Sequence, residues 1–164
     1  MLKRLTSLLL AAGVCGVQAH AAPSTPASST SIASLVKADV AEIVDGINTK
    51  DIDKATKFDA PNLISMESMR APSYGAKADR DGLTMVFKYA PSWHLSKIDE
   101  AVDVSKSRDM AIYRSTYNED SERDGTPYTH KVNFLAEFLL DPDGMWRVHW
   151  SVVCAQSPSQ KRSG

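Results

Sequence analysis

The chain carries a helical spacing of apolar residues in its first half and a strand-like spacing in its second half. One stripe with helical spacing predicts an amphipathic first helix, and it comprises Val36, Val40, Ile43, Val44 and Ile47. Asp51 is the predicted N-cap of a short second helix that runs through Phe58. A third helix is predicted over residues 82–89, with Asp79 or Asp81 as its cap.

Strand-like segments dominate the second half. A short strand over residues 63–66 precedes the third helix, and four longer strands are predicted over residues 93–104, 110–118, 128–140 and 146–154. Asp124-Gly125 and Pro142-Asp143-Gly144 are turn sequences typical of β-hairpins. Helices grouped ahead of strands predict an α+β domain, in which three N-terminal helices pack on the concave face of a curved antiparallel sheet.

The last two strands predict which side chains face the helices. One alternating set is apolar apart from its first residue, and it comprises His130, Val132, Phe134, Ala136, Phe138, Trp146, Val148, Trp150 and Val152. The other set mixes charged, polar and apolar residues: Lys131, Asn133, Leu135, Glu137, Leu139, Arg147, His149 and Ser151. An antiparallel sheet covered on one face shows this alternation, so the first set is predicted to face inward. The second set suits solvent or a partner subunit.

The ends of the chain differ in composition from the domain between them. Residues 1–21 begin with Lys3-Arg4, continue with a short apolar run and end in Ala19-His20-Ala21, which predicts a signal peptide cut near Ala21 and a periplasmic or secreted protein. The run is too short for a stable membrane anchor. Residues 22–31 are predicted to form a flexible leader, residues 32–156 the domain, and residues 157–164 a disordered tail.

Charge and cysteine content narrow the function. The chain has a net charge of −1 and no concentrated basic patch, which argues against nucleic-acid binding.

Cys15 falls in the signal segment, so Cys154 has no partner for an internal disulfide. Its apolar neighbours predict a buried, inert thiol, and pairing with another chain is the alternative. Sequence motifs for phosphate loops, zinc proteases and serine esterases are absent.

Four short segments, in this order and spacing, resemble the nuclear transport factor 2-like superfamily with its SnoaL-like and ketosteroid isomerase-like members. They are Asn48-Thr49-Lys50-Asp51, Tyr74-Gly75, Asp109-Met110-Ala111-Ile112-Tyr113 and Asp143-Gly144-Met145-Trp146. The resemblance covers about residues 31–155. It implies a cone-shaped domain with an internal pocket and a homodimer formed through the outer face of the sheet.

The resemblance also implies where acid–base residues would lie. The isomerase branch uses a carboxylate base with a tyrosine and a protonated aspartate; the tyrosine position falls near Ile43, and only Glu67 lies near the base position. Many SnoaL-like relatives have a histidine four residues after the hairpin tryptophan, where this chain has Trp150. The family's acid–base set is therefore largely unmatched, and whether the protein is an enzyme stays open.

Two functional hypotheses follow. The first is non-catalytic binding of a small apolar or aromatic ligand in the cone, with Tyr74, Tyr113, Phe134, Trp146 and Trp150 as its contacts. The second is a cyclase, isomerase or dehydratase that uses Glu67 as base, supported by Tyr74, Tyr113 or His130. The three histidines beyond the signal segment lie far apart, which predicts no metal site, and no cofactor is expected.

Overall fold

The computed structural model describes residues 27–68, 70–156 and 160–161. The predicted signal peptide and residues 22–26 of the predicted leader lie outside them. The helices are α1 (Ser29–Thr49), α2 (Ile52–Ala55) and α3 (Ala76–Tyr89). The strands are β1 (Asp59–Glu67), β2 (Ser73–Tyr74), β3 (His94–Val104), β4 (Met110–Arg123), β5 (Thr126–Leu140), β6 (Trp146–Ala155) and β7 (Gln160–Lys161). None of the described helices is long and apolar enough to cross a bilayer.

Helix α1 begins inside the stretch that was predicted to be flexible. The hydroxyl of Ser28 accepts a hydrogen bond from the backbone N–H of Ser31 at 3.1 Å and so caps the helix. The added turn buries Ile32, which extends the apolar stripe by one turn toward the N-terminus. The helix ends where Lys50 adopts a left-handed conformation with φ 61°. Residues 29–31 therefore belong to the domain.

The other two helices differ from their predicted bounds. Asp51 caps α2 as predicted, but the helix ends at Ala55 rather than near Phe58. Helix α3 starts earlier than predicted because Gly75, with φ 89°, is its N-cap. The Gly75 N–H donates to the carbonyl of Leu63 at 2.7 Å, which ties the start of α3 to β1. Asp79 is therefore not the cap of this helix.

The strands form one sheet in the order β2-β1-β6-β5-β4-β3, with β7 added beside β5. All neighbouring pairs are antiparallel except β1 and β6, which run parallel. The β4–β5 turn has positive φ at both Asp124 and Gly125, as the Asp-Gly sequence predicts. Strand β7 corrects part of the prediction for the tail, since Gln160–Lys161 pairs with β5.

A β-bulge in β6 overturns the predicted orientation of its second half. Glu137 pairs with Trp150 while Phe138 pairs with Val148, so β6 contains one extra residue at this point. Residues that pair across an antiparallel ladder share a face, and the inward Ala136 pairs with Ser151. The prediction that Trp150 faces inward is therefore wrong. Ser151 is buried instead, and the phase shift turns Trp150 and Val152 to the outer face.

The same bulge corrects the prediction for the cysteine. Cys154 lies three residues beyond Ser151, so it shares the outer face with Trp150 and Val152. Its thiol is free and exposed rather than buried.

The core lies where α1 packs on the concave face of the sheet. Val36 and Val40 of α1 are fully buried or nearly so, and they belong to one cluster with Tyr113, Phe138 and Trp146 of the sheet. The link between α1 and α2 is tight as well: a Cβ on Gly46 would lie 2.4 Å from the backbone nitrogen of Ala55. Such a contact is available only to glycine.

Gly46→Ala is expected to destabilise the domain by about 1–3 kcal/mol, because the new methyl group meets backbone atoms that cannot move independently. Gly82→Ala is the matched control, since a Cβ at this position in α3 has no neighbour within 4 Å. The control should gain up to about 1 kcal/mol from helix propensity. Urea denaturation measures both free energies of unfolding, and an unchanged stability of Gly46→Ala would contradict the close approach.

Candidate functional site

A cavity of about 750 Å³ lies between the helices and the concave face of the sheet. Its wall is mainly aliphatic, with contributions from Val40, Ile43, Val44, Ile47, Leu83 and Val86 of the helices and Leu63, Val132, Phe134, Val148 and Val153 of the sheet. Its size is within the range of small-molecule binding sites. Val132, Phe134 and Val148 follow from the alternation of their strands, whereas Val153 reaches the cavity through the phase shift at the β6 bulge.

Helix α3 closes one side of the cavity without contributing to the compact core. None of its residues is fully buried, although Leu83 and Val86 line the cavity. Arg80 attaches the helix to the rest of the domain, since its guanidinium donates to Asp53 at 2.5 Å and to Thr56 at 3.2 Å. The apolar side chains on the inner face of α3 therefore line the cavity instead of packing against other side chains.

Two carboxyl groups interrupt the aliphatic wall. Asp59 is the first residue of β1 and Asp79 lies on the inner face of α3. Burial, followed by the negative charge of Asp79, raises the pKa of Asp59 to about 8. One oxygen of Asp59, Oδ2, is enclosed and has no hydrogen-bond partner among the described residues. At neutral pH this carboxyl group is therefore mostly protonated.

Opposing effects act on the pKa of Asp79. Burial and the charge of Glu67 raise its pKa, while a hydrogen bond from Ser65 lowers the pKa, with a net upward direction. Among the described residues, no lysine or arginine forms an ion pair with Asp59 or Asp79. Burial of a carboxylate without a cation disfavours its charged form, which explains the direction of both shifts.

Glu67, the predicted base, lies at the mouth of the cavity. It is the last residue of β1, and its carboxylate accepts a hydrogen bond from the Arg70 guanidinium at 2.8 Å. Its side chain is 47% exposed. Glu67 is thus exposed to solvent and held by Arg70 at the mouth, and this geometry gives the predicted role no support.

His130, the predicted supporting residue, also lies at the mouth, where it lines the cavity with Glu119, Ser121 and Glu122. Its Nε2 is 3.4 Å from the carboxylate of Glu119. Its Nδ1 is enclosed and has no hydrogen-bond partner among the described residues. The structure does not bring His130 into hydrogen-bonding contact with Glu67.

Of the five aromatic residues predicted to contact a ligand, Phe134 lines the cavity. Tyr113 is fully buried in the core, where its hydroxyl lies 2.9 Å from that of Tyr117 and donates to Glu100 at 3.2 Å. Burial raises the pKa of Tyr113. Trp146 belongs to the core, while Tyr74 is 70% exposed and Trp150 lies on the outer face.

Sequence reasoning missed the Asp59–Asp79 pair. Asp79 was considered only as a helix cap, yet Gly82, Leu83 and Val86 follow it at helical spacing and place it on the inner face of α3. Asp59 gives no comparable signal, because the start of β1 was not predicted. Among the described residues, no group of three or more histidine, cysteine, aspartate or glutamate side chains could hold a metal ion.

Comparisons with solved structures establish the fold. A ketosteroid isomerase-like protein from Erwinia carotovora atroseptica is 18% identical and has a TM-score of 0.63, with 76% of this chain and 96% of that chain covered. A candidate dehydratase of the NTF2-like family from Streptomyces avermitilis is 13% identical with a TM-score of 0.68, covering 78% of this chain and 98% of that one. A Caulobacter vibrioides protein with a cystatin-like fold is 12% identical with a TM-score of 0.66, covering 75% and 88%.

The chain thus has the nuclear transport factor 2-like cone fold, which confirms the fold that the sequence resemblance implied. The predicted α+β architecture, with helices over a curved sheet, is confirmed as well. No protein-family model and no curated protein sequence matches the chain. At these identities the likeness concerns the fold, and the activity has to be argued from the cavity itself.

The raised pKa of Asp59 predicts a stability that depends on pH. In the folded state Asp59 keeps its proton up to about pH 8, whereas in the unfolded state it loses the proton near its ordinary pKa of 3.8. Between these two pKa values the folded state binds more protons than the unfolded state. The contribution of Asp59 to the free energy of unfolding therefore falls as the pH rises from about 4 to about 8, and it is constant at higher pH.

Asp59→Asn removes this ionisation and is expected to raise the free energy of unfolding at pH 7.5 by at least about 1 kcal/mol relative to the parent. The parent and the variant should converge near pH 4. Asp81→Asn, which changes an exposed carboxylate on α3, is the matched control and should retain the pH dependence of the parent. Urea denaturation across this pH range measures the difference, and parallel curves for the parent and Asp59→Asn would contradict the assigned pKa.

Proposed function

We propose that this protein binds a small, largely apolar ligand in the cavity of the cone. The observation that carries the proposal is an aliphatic cavity of about 750 Å³ between α1, α3 and the sheet. Burial of the apolar surface of a ligand there contributes about 25 cal/mol for each Å² removed from water. Phe134 and Leu83 on opposite walls would contact the ligand from the sheet and from α3.

The proposal includes a cellular location and an assembly. Residues 1–21 have the charge and apolar pattern of a signal peptide, which supports a periplasmic or secreted protein. The outer face of the sheet carries Trp150 and Val152 beside Leu135, which supports a homodimer through that face. The bulge in β6 strengthens this part of the proposal, because it turns Trp150 from the interior to the outer face.

Gly82→Phe is expected to abolish binding of N-phenylnaphthylamine, a neutral apolar fluorophore. Gly82 lines the cavity and a Cβ there has open space around it, so a phenyl ring can enter the volume without striking the backbone. Thr84→Phe, on the exposed side of α3, is the matched control. Fluorescence titration should show saturable binding by the parent and by Thr84→Phe.

Circular dichroism establishes that both variants are folded. The proposal fails if the parent shows no saturable binding, or if folded Gly82→Phe binds the fluorophore as the parent does. A ligand that remains bound to protein purified from its own host would be detected by native mass spectrometry, which also reports the number of subunits.

Acid–base chemistry in the same cavity is a second candidate function, and Asp59 rather than Glu67 is the residue that favours it. A carboxyl group with its pKa raised to about 8 in an apolar site can act as a strong base once ionised, or as an acid before that. The superfamily resemblance suggests isomerisation, cyclisation or dehydration. Each of these reactions needs a proton transferred at carbon or at a leaving oxygen.

Nitrobenzisoxazole tests this candidate without knowledge of the natural substrate. A carboxylate takes the proton from its ring carbon, the carbon–nitrogen triple bond forms, and the nitrogen–oxygen bond breaks to release a coloured phenolate. We expect turnover that rises with pH toward about 8 as Asp59 ionises, at least about tenfold above Asp59→Asn. Glu67→Gln should keep most of the rate. Equal rates for the parent and Asp59→Asn would eliminate Asp59 as the base.

A further inference from the structure

We propose that the ligand of this cavity carries a positively charged amine, which sits between Asp59 of β1 and Asp79 of α3 while its apolar part fills the aliphatic volume. This inference rests on the proposed ligand-binding function and specifies its chemistry. The cavity supplies the binding site, and the two carboxyl groups determine which head group it accepts.

The charges around the cavity are distributed unevenly. Five acidic residues line it, namely Asp59, Glu67, Asp79, Glu119 and Glu122. Arg70 pairs with Glu67 at the mouth, and His130 lies beside Glu119. Asp59 and Asp79 are the carboxyl groups that burial affects most among these residues, and neither has a cationic partner among the described residues. An anionic ligand would therefore be repelled from this part of the cavity.

The two carboxyl groups come from different elements that line the same cavity. Asp59 begins β1, and Asp79 lies in the first turn of α3, yet the charge of Asp79 is close enough to raise the pKa of Asp59. Apart from each other, the groups that act on this pair are Ser65, which hydrogen bonds to Asp79, and Glu67. The proton that Asp59 holds at neutral pH reduces the repulsion between the two carboxyl groups.

An ammonium group can replace the proton on Asp59. It carries up to three N–H donors, and charge-assisted hydrogen bonds to two carboxylates are stronger than bonds between neutral groups. The affinity gained in this way is larger in a desolvated cavity than at an exposed surface. A neutral alcohol of the same shape can hydrogen bond to the carboxyl groups but gains no charge–charge attraction.

Three ligands with one apolar body test the inference: naphthylmethylamine, naphthylmethanol and naphthoate. Displacement of N-phenylnaphthylamine at pH 7.5 gives their dissociation constants. We expect the amine to bind about tenfold or more tightly than the alcohol, and the carboxylate to bind more weakly than both. Binding of the amine should also release protons, which calorimetry in buffers of different ionisation enthalpy detects.

Asp79→Asn is expected to remove the preference for the amine and to bring its dissociation constant within about threefold of that of the alcohol, since the charge–charge attraction is lost. Asp81→Asn removes the same charge from the exposed side of α3, where Asp81 pairs with Lys77, and should retain the preference. Loss of the preference in both variants would point to a general effect of net charge and would overturn the assignment to Asp79.

The outcomes separate this inference from the function on which it rests. If the fluorophore binds but the alcohol or the carboxylate displaces it as well as the amine does, the amine specificity is wrong and the apolar site stands. If neither the fluorophore nor any of the three ligands binds, the proposed function itself fails.

Discussion

The packing of α1 on the concave face of the sheet is the interaction on which the rest of the structure depends. Val36 and Val40 contact a cluster that includes Tyr113 and Phe138, and this contact holds the curved sheet against the helix at one end of the cone. Toward the other end the same helix lines the cavity with Ile43 and Ile47. The apolar stripe of α1 therefore forms part of the core and part of the cavity wall. Side chains of the sheet pack closely against its N-terminal part, whereas its C-terminal part faces the cavity.

The cavity combines apolar burial with a cost in stability. The side chains that face the cavity make fewer van der Waals contacts than closely packed core residues, so they contribute less dispersion energy to stability. Asp59 adds to this cost, because burial disfavours its charged form and one of its oxygens has no hydrogen-bond partner in the part of the chain that the structure describes. A domain of this size could fill the volume with larger side chains and replace the acid. Its retention of both features is what makes the cavity the best candidate for function.

Much of the architecture was predictable from local patterns. The α1 stripe, the Asp51 cap and the Asp-Gly turn depend on interactions within a few residues, and all three occur as predicted. The inner face of β6 was predicted correctly only as far as Val148. The bulge that follows depends on how β6 fits between β1 and β5, and a single extra residue there reverses the orientation of Trp150. Two other predicted ligand contacts, Tyr113 and Trp146, pack in the core instead of lining the cavity.

The sequence by itself determined the order of the main helices and strands, the class of fold and the inward orientation of His130 and Phe134, since each follows from periodicity along the chain. The tertiary structure decided which polar groups share the cavity. Asp59 and Asp79 are 20 positions apart in the numbering and lie on elements of different type. Their mutual influence arises only when α3 folds back over β1, because the burial and proximity that shift their pKa values do not exist in the extended chain.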